Sequence, residues 1–587
     1  MRKQIISLLG TSAALLAASQ ASAGALGAPN EIFIGGASAV QRTFHLDLVL
    51  RFCQDDGNTN EGDGIITPAV YTDSIGTVPG NGDGSAALPA LALGDQIVVH
   101  CNFKTTFGAG NALNGAEVAV YKFNGGSATG VAPVADPAGA DASAKQYLDA
   151  SPASCTQEIP SSNPQPGDTF TSVDGATRFA LYECDDLGTV AQDPDGGISD
   201  VEPKRFVGQL ASGFGGPVPG VADRPQQDFV DQGNLIVKAG AGITFGTAVS
   251  LPMYDELLDD QQAAGLLPDC PASPSRAQRD SIACMPSLPT AMIQSAFTGE
   301  IARWSVRDPY GLPLDTSGVA DGDRVNVCRR TAGSGTNAQF AVHYLRTNCI
   351  NNSTAMVTVD NDPLAFLQVP VVYENSGSSD MDDCLDALGD GEGFNGDFTD
   401  GLTAFPDDPT SGDGDSSVVP AGRDAFGIGY NSLERNTSLG RNYRFVKVDF
   451  AAPTLEDTFN GIYDDIYYLS YQNRVSSGTT PDPRTGAIRT VAADAGEIAV
   501  MEAFFEIWNS PTPAAVQAVN DGLIVNPDGV DNNGDEWQGG FLAPTSAAPQ
   551  AFSAGPVGTD PRTPWGRATI GGTADSCQEL SISNNTQ

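Results

Sequence analysis

Basic residues are scarce: Lys and Arg total 30 against 72 Asp and Glu, so the 587-residue chain carries a formal charge of −42. Nucleic acid and anionic membrane surfaces are excluded as partners, because binding them requires basic patches that displace counterions. Histidine is scarcer still. Of His45, His100 and His343, the first and last fall inside helical patterns, where a lone histidine packs or faces solvent more often than it catalyses. A Gly-x-Ser-x-Gly elbow is missing, which removes the simplest hydrolase. No Cys-x-x-Cys pair with matching histidines argues for zinc. No later segment reaches the roughly twenty apolar residues that span a bilayer, so no direct membrane insertion is expected. The chain is read as non-enzymatic and without a cofactor; whether it binds a metal is left open.

The N-terminus has Arg2 and Lys3, an apolar stretch through Ala18 and then Ala21-Ser22-Ala23. These are the parts of a secretory signal, residues 1–23, with cleavage expected after Ala23 and a periplasmic or secreted product beginning at Gly24. No cysteine follows that site to take a lipid. All 10 cysteines lie beyond it, in a compartment that permits oxidation, so disulfides are expected. Cys155 with Cys184, Cys270 with Cys284 and Cys328 with Cys349 are the nearest neighbours, but spacing leaves the connectivity open.

Arg330-Thr331-Ala332-Gly333-Ser334-Gly335-Thr336 lies between a strand-like run, Val325 to Cys328, and a helix-like run, Asn337 to Cys349. A helix start exposes unpaired N–H groups and the positive end of the helix dipole, glycines allow close approach, hydroxyls donate and Arg330 adds a permanent charge. Alone, the stretch is equally a glycine turn and N-cap before an ordinary helix. Similar turns recur elsewhere. Glu31-Ile32-Phe33-Ile34 breaks at Gly35-Gly36-Ala37-Ser38 before a helical pattern of Val40, Phe44, Leu48 and Phe52. The strand Val118 to Tyr121 precedes Asn124 to Gly130, and a fourth segment reads Gly197-Ile198-Ser199-Asp200-Val201-Glu202-Pro203.

With these motifs in order, the chain resembles the phosphate-binding proteins of bacterial ABC transporters, two-lobed periplasmic binding proteins. Gly36-Ala37-Ser38 is similar to the family's first anion-contacting turn, Tyr121 with Gly126-Ser127 to its second, and Ser199-Asp200 with Pro203 to its Ser-Asp pair. Ala296 through Trp304 resembles the Phe-x-Gly-x-Ile-x-x-Trp signature, Arg330 through Thr336 the Arg-x-x-Gly-Ser-Gly-Thr loop, and Phe426 to Tyr430 the Ile-Gly-Tyr strand. The resemblance implies Ser38, Ser127, Ser199, Asp200, Arg330, Ser334, Gly335 and Thr336 as anion contacts. The family's aspartate, which steadies the arginine, is replaced by Ala332, so Arg330 must be oriented otherwise or the pocket is tuned differently.

The resemblance implies an α/β, two-lobed periplasmic-binding-protein fold with two chain crossovers and long acidic loop insertions. Lobe one is expected over 24–247 and 461–587, lobe two over 248–460. That division puts five cysteines in each lobe, an odd number. Insertions at about Asp55 to Ala92, Ala132 to Asp195, Ser376 to Gly422 and Asn526 to Asp575 read as surface loops or disordered segments. Within or beside them, Asp407 to Asp415 and Asn526 to Glu536 are solvated acidic loops or calcium loops. Ile293, Phe297, Ile301 and Trp304 form a core stripe, and Ile498, Met501, Phe505 and Trp508 suggest a buried helix. The implied function is capture of an oxyanion, phosphate foremost, for delivery to the membrane permease of an ABC transporter. The alternative is an exported acidic interaction or structural protein on the same scaffold, with calcium or a surface partner. Long-range repulsion between anion and acidic surface is limited in saline surroundings, where screening acts over a few ångströms.

Overall fold

The computed structural model describes residues 26, 28–37, 48–54, 68–76, 92–94, 96–106, 113–123, 125–135, 145–150, 154–158, 170–171, 178–184, 188–206, 235–305, 324–347, 349, 356–357, 370–375, 377–390, 425–433, 435–436, 439–474, 500–501, 541–544, 562–563, 565–566, 575–579 and 581–582. The expected leader, Ser38, His45, both candidate calcium loops and most of the helix expected around Phe505 lie outside them.

The protein is mixed α/β, built on one large mixed sheet. Its main strands are β1 (Glu31–Gly36), β2 (Ala69–Thr72), β3 (Gln96–Asn102), β4 (Glu117–Phe123), β5 (Arg178–Glu183), β6 (Gly196–Ser199), β7 (Leu235–Ser250), β8 (Asn326–Arg330), β9 (Val371–Asn375), β10 (Gly427–Ser432) and β11 (Ile466–Arg474). The helices that matter are α1 (Leu251–Ala263), α2 (Thr290–Thr298), α3 (Gly335–His343), α4 (Ser378–Asp390) and α5 (Leu455–Phe459). Strand order is β9-β8-β10-β7-β11-β6-β1-β4-β3-β2-β5. Two parallel groups, β9-β8-β10 and β6-β1-β4, lie on either side of the antiparallel β7 and β11. Strands covered on both faces must be apolar throughout, and the Ile-Phe-Ile of β1 and Val-Cys of β8 are buried accordingly.

β7 joins the two groups. From Leu235 to Thr244 it pairs with β11, and from Phe245 to Val249 with β10, after a bulge between Ala239 and Gly242. The partner therefore changes between the adjacent residues Thr244 and Phe245.

The expected insertions contain more core than loop composition suggests. β2 lies buried between β3 and β5, and Phe179 and Leu181 of β5 are buried with it. α4 buries Met381, Cys384, Leu385 and Leu388, an i, i+3, i+4, i+7 stripe hidden among aspartates. Short apolar runs between Gly- and Asp-rich segments look like loop until distant strands pair with them. The core stripe behaves as expected at Ile293, Phe297 and Trp304, all buried, although α2 stops at Gly299, whose φ of 77° ends the helix in the left-handed region. Trp304 Nε1 donates to Phe426 O at 3.1 Å. The helix expected from Asn337 to Cys349 begins earlier and ends sooner, as α3.

The cysteines pair as Cys53–Cys101, Cys155–Cys184, Cys270–Cys284, Cys328–Cys384 and Cys349–Cys577. Two of the three nearest-neighbour pairs are present. Cys328 instead reaches α4, which packs on its strand, and Cys349 reaches the C-terminal segment across a separation of 228 residues. That last bridge accounts for the odd count of five cysteines on each side. Among the described residues no helix is long and apolar enough to cross a membrane.

Candidate functional site

Strand ends and helix starts bring three of the motifs together. β4 runs into Gly126, whose φ of 84° is available to glycine at little cost, and the chain then enters a short 3-10 turn over Ser127–Gly130. β6, two strands away in the sheet, ends at Ser199 and hands the chain to Asp200. From the other group, β8 ends at Arg330, the chain turns through Gly333 (φ 81°), and Ser334 caps α3 by accepting from the Asn337 N–H at 3.4 Å.

These ends touch. The Ser127 hydroxyl donates to Asp200 Oδ2 at 2.8 Å and accepts from the Asp200 N–H at 3.1 Å. Gly335 presses against that pair: a Cβ on it would lie 2.2 Å from Ser127 Oγ and 2.4 Å from Asp200 Oδ2, so only glycine fits. The Ala128 N–H donates to Gly333 O at 3.0 Å, and Gln339 Nε2 donates to Asp200 O at 2.5 Å. The first turn of α3 therefore faces a carboxylate and a hydroxyl, the partners a helix N-terminus attracts.

Asp200 is the electrostatic centre. It is buried, and Oδ1 accepts no hydrogen bond from the described protein groups. Burial raises its carboxyl above the ordinary range, opposed by the Ser127 hydroxyl and by the charges of Arg330 and Lys122. Arg330 is itself buried; Nε donates to Asn375 O at 3.2 Å and Nη1 to Ser378 Oγ at 2.7 Å. A backbone carbonyl and the first residue of α4 thus contact the guanidinium in a chain that has Ala332 in place of a carboxylate. Both of these partners are neutral, and the guanidinium charge also acts on Asp200.

The other residues are placed differently. Ser199 is buried, but its hydroxyl donates to Val201 O at 2.6 Å, closing a local turn. Ser334 uses its hydroxyl as the cap, and Thr336 is buried on the first turn of α3. Arg329, next to Arg330, points into a buried ion pair with Glu374.

Sequence reasoning missed Lys122, Gln339, Asn375 and Ser378. Lys122 is fully buried in β4 and donates to Gly36 O and Ala37 O at 3.1 Å and to Phe123 O at 3.2 Å, fastening the turn that leads to Ser38. A lone lysine in Val-Ala-Val-Tyr-Lys-Phe was its only signal. Gln339 is a polar residue on the buried side of α3, and the missing carboxylate at Ala332 pointed to a substitute for steadying Arg330 without locating it.

Neither described histidine takes part here: His100 Nε2 lies 3.0 Å from Glu117 Oε1, and His343 packs edge-on against Tyr344. Among the described residues no group of three or more His, Cys, Asp or Glu is arranged to hold a metal ion.

No protein-family model and no curated protein matches the chain. Solved structures similar to it include a putative phosphate ABC transporter substrate-binding protein with bound phosphate from Clostridium perfringens, at 12% identity and a TM-score of 0.26 over 56% of this chain and 77% of that one. PstS from Borrelia burgdorferi is similar at 10% identity and a TM-score of 0.25, covering 56% and 78% of the two chains. An ABC-type phosphate transport receptor from Vibrio cholerae gives 12% identity and a TM-score of 0.21 over 49% and 69%.

Proposed function

We propose that this is an exported solute-binding protein that captures an oxyanion, phosphate foremost, between two lobes and delivers it to the membrane permease of an ABC transporter. The lobes are 24–247 with 461–587, and 248–460, joined through β7 and the approach to β11. Ser38, Ser127, Ser199, Asp200, Arg330, Ser334, Gly335 and Thr336 are the proposed anion-binding set. Ser199 serves it by shaping the turn that presents Asp200.

The observation that carries this proposal is the convergence of Ser127, Asp200 and the start of α3, with Arg330 close enough to act on the Asp200 charge. Ser127 and Asp200, 73 residues apart, meet the start of α3, more than a hundred residues from either, where glycine alone fits; together they supply helix N–H groups, a cation and a hydroxyl that holds Asp200. That is a donor set for an oxyanion. A buried carboxylate in such a set favours a ligand that still carries a proton: hydrogen phosphate can donate to Asp200, whereas sulfate has no proton to offer.

Isothermal titration of the protein without its leader against phosphate, sulfate and molybdate tests this. Phosphate should bind and sulfate should not. No heat with any of the three would overturn anion capture and leave the acidic interaction protein as the better account.

A further inference from the structure

Beyond the anion contacts, the C-terminal segment 575–579 holds two parts of the site to each other. Asp200 is followed by Glu202 and Arg205, both buried, with Arg205 Nε donating to Glu202 Oε1 at 2.6 Å. The C-terminal segment docks on this pair. Arg205 Nη2 donates to Asp575 Oδ1 at 2.5 Å, the Ser576 N–H donates to Glu202 Oε1 at 2.8 Å, and the Ser576 hydroxyl donates to Glu202 Oε2. The next residue, Cys577, is bonded to Cys349, shortly beyond α3, and Glu579 Oε1 lies 3.0 Å from Arg346 Nη1.

We propose that this segment is a covalent strap that sets how far α3 can move away from the Asp200 segment, and so how far the site opens; this rests on the reading that those two walls separate to admit ligand. The contacts between them near the site, Ala128 N–H to Gly333 O and Gln339 to Asp200 O, are neutral hydrogen bonds that break and re-form readily. The strap is different at both ends. On one side Asp575 meets the buried Arg205 and Ser576 donates twice to the buried Glu202, so pulling the segment away breaks an ion pair and two charge-assisted hydrogen bonds. On the other is a bond that does not dissociate during ligand exchange. The C-terminal end of α3 is thus fixed relative to Glu202, and opening becomes a swing of the Gly335 end about that fixed end. The strap limits amplitude and slows ligand escape.

The test is amide hydrogen exchange of the ligand-free protein, comparing wild type with Cys349→Ser/Cys577→Ser, which leaves no unpaired thiol. Exchange over 126–130 and 335–343 should rise tenfold or more in the variant, while α1, remote from the strap, is unchanged. Equal exchange in the two proteins over 126–130 and 335–343 would overturn the strap. Should the double variant fail to fold, Ser576→Ala in the disulfide-bonded chain loosens the hydrogen-bonded end alone: a few-fold rise over the same segments supports the strap, and no change removes it. Phosphate titration of wild type separates the two ideas, because faster exchange in a protein that binds no phosphate keeps the strap and discards anion capture.

Discussion

Two walls of the candidate site handle charge in opposite ways. On the wall formed by residues 122–123, 125–130 and 196–205, the cation is tied to carbonyls and the anion is buried with one oxygen to spare: Lys122 holds three backbone oxygens, whereas Asp200 keeps one oxygen without a described partner. On the wall formed by 329–339, the polarity is reversed. Arg329 is ion-paired with Glu374, whereas Arg330 donates to a carbonyl and a hydroxyl and its charge acts on Asp200. Adjacent residues of a strand face opposite sides, so the two arginines of β8 reach different partners. The contrast teaches that a net charge of −42 says little about local charge at the candidate site, which is set by how each buried group is partnered.

The largest expected effect comes from removing the negative charge of the first wall. If Asp200 rejects a fully deprotonated anion by facing it with an uncompensated carboxylate, the discrimination can reach about four orders of magnitude, far more than pocket shape supplies. Asp200→Asn should shrink the preference for phosphate over sulfate chiefly by admitting sulfate. Competitive titration of both anions measures this, and wild type that binds sulfate as tightly as phosphate ends both the selectivity argument and the choice of phosphate.

The second wall can be split residue by residue. Arg329→Ala removes the buried cation paired with the buried Glu374, a loss of about 3–5 kcal/mol in folding free energy. Arg330→Ala removes a charge-assisted contact worth roughly 1.5–3 kcal/mol to a bound anion, a tenfold to hundredfold weakening, with much less effect on folding. Urea unfolding and phosphate titration of the two variants should therefore rank them in opposite orders. Equal losses of binding would remove Arg330 from the anion set.

How much of this was legible depended on the range of the interaction. Glycine turns, N-caps and strand ends are local, so the turns at Gly126-Ser127, Ser199-Asp200 and Gly333-Ser334-Gly335 could be noticed in the sequence, although their candidate role came from the family resemblance. What those turns meet is not local. Ser378 reaches Arg330 because β9 pairs with β8 and leads into α4, in a stretch whose Asp and Gly content hid a readable amphipathic stripe. Cys349 and Cys577 could not be paired from spacing, since 228 residues separate them and Cys328 lay closer in sequence. The Ser199 hydroxyl shows the opposite failure: a motif residue was legible, but its hydrogen bond to Val201 was not.

The smallest expected effect concerns folding rather than ligand. Burial raises the Asp200 carboxyl above its ordinary range, against the pull of Ser127, Arg330 and Lys122. The folded state therefore holds the Asp200 proton more tightly than the unfolded chain does. Below the ordinary carboxylate value both states are protonated and Asp200 costs nothing electrostatically. As pH rises from there through the raised value, the unfolded chain ionises first and stability is lost, levelling off once both states are ionised. Asp200→Asn abolishes this dependence while other carboxylates titrate as before. The difference in unfolding free energy, variant minus wild type, should therefore climb with pH from about 4 and then flatten. Urea titrations in steps of pH measure it. A difference that falls with pH would mean that Arg330 and Lys122 outweigh burial, leaving Asp200 an ordinary ion-pair partner rather than a carboxylate held ready for the proton of a ligand.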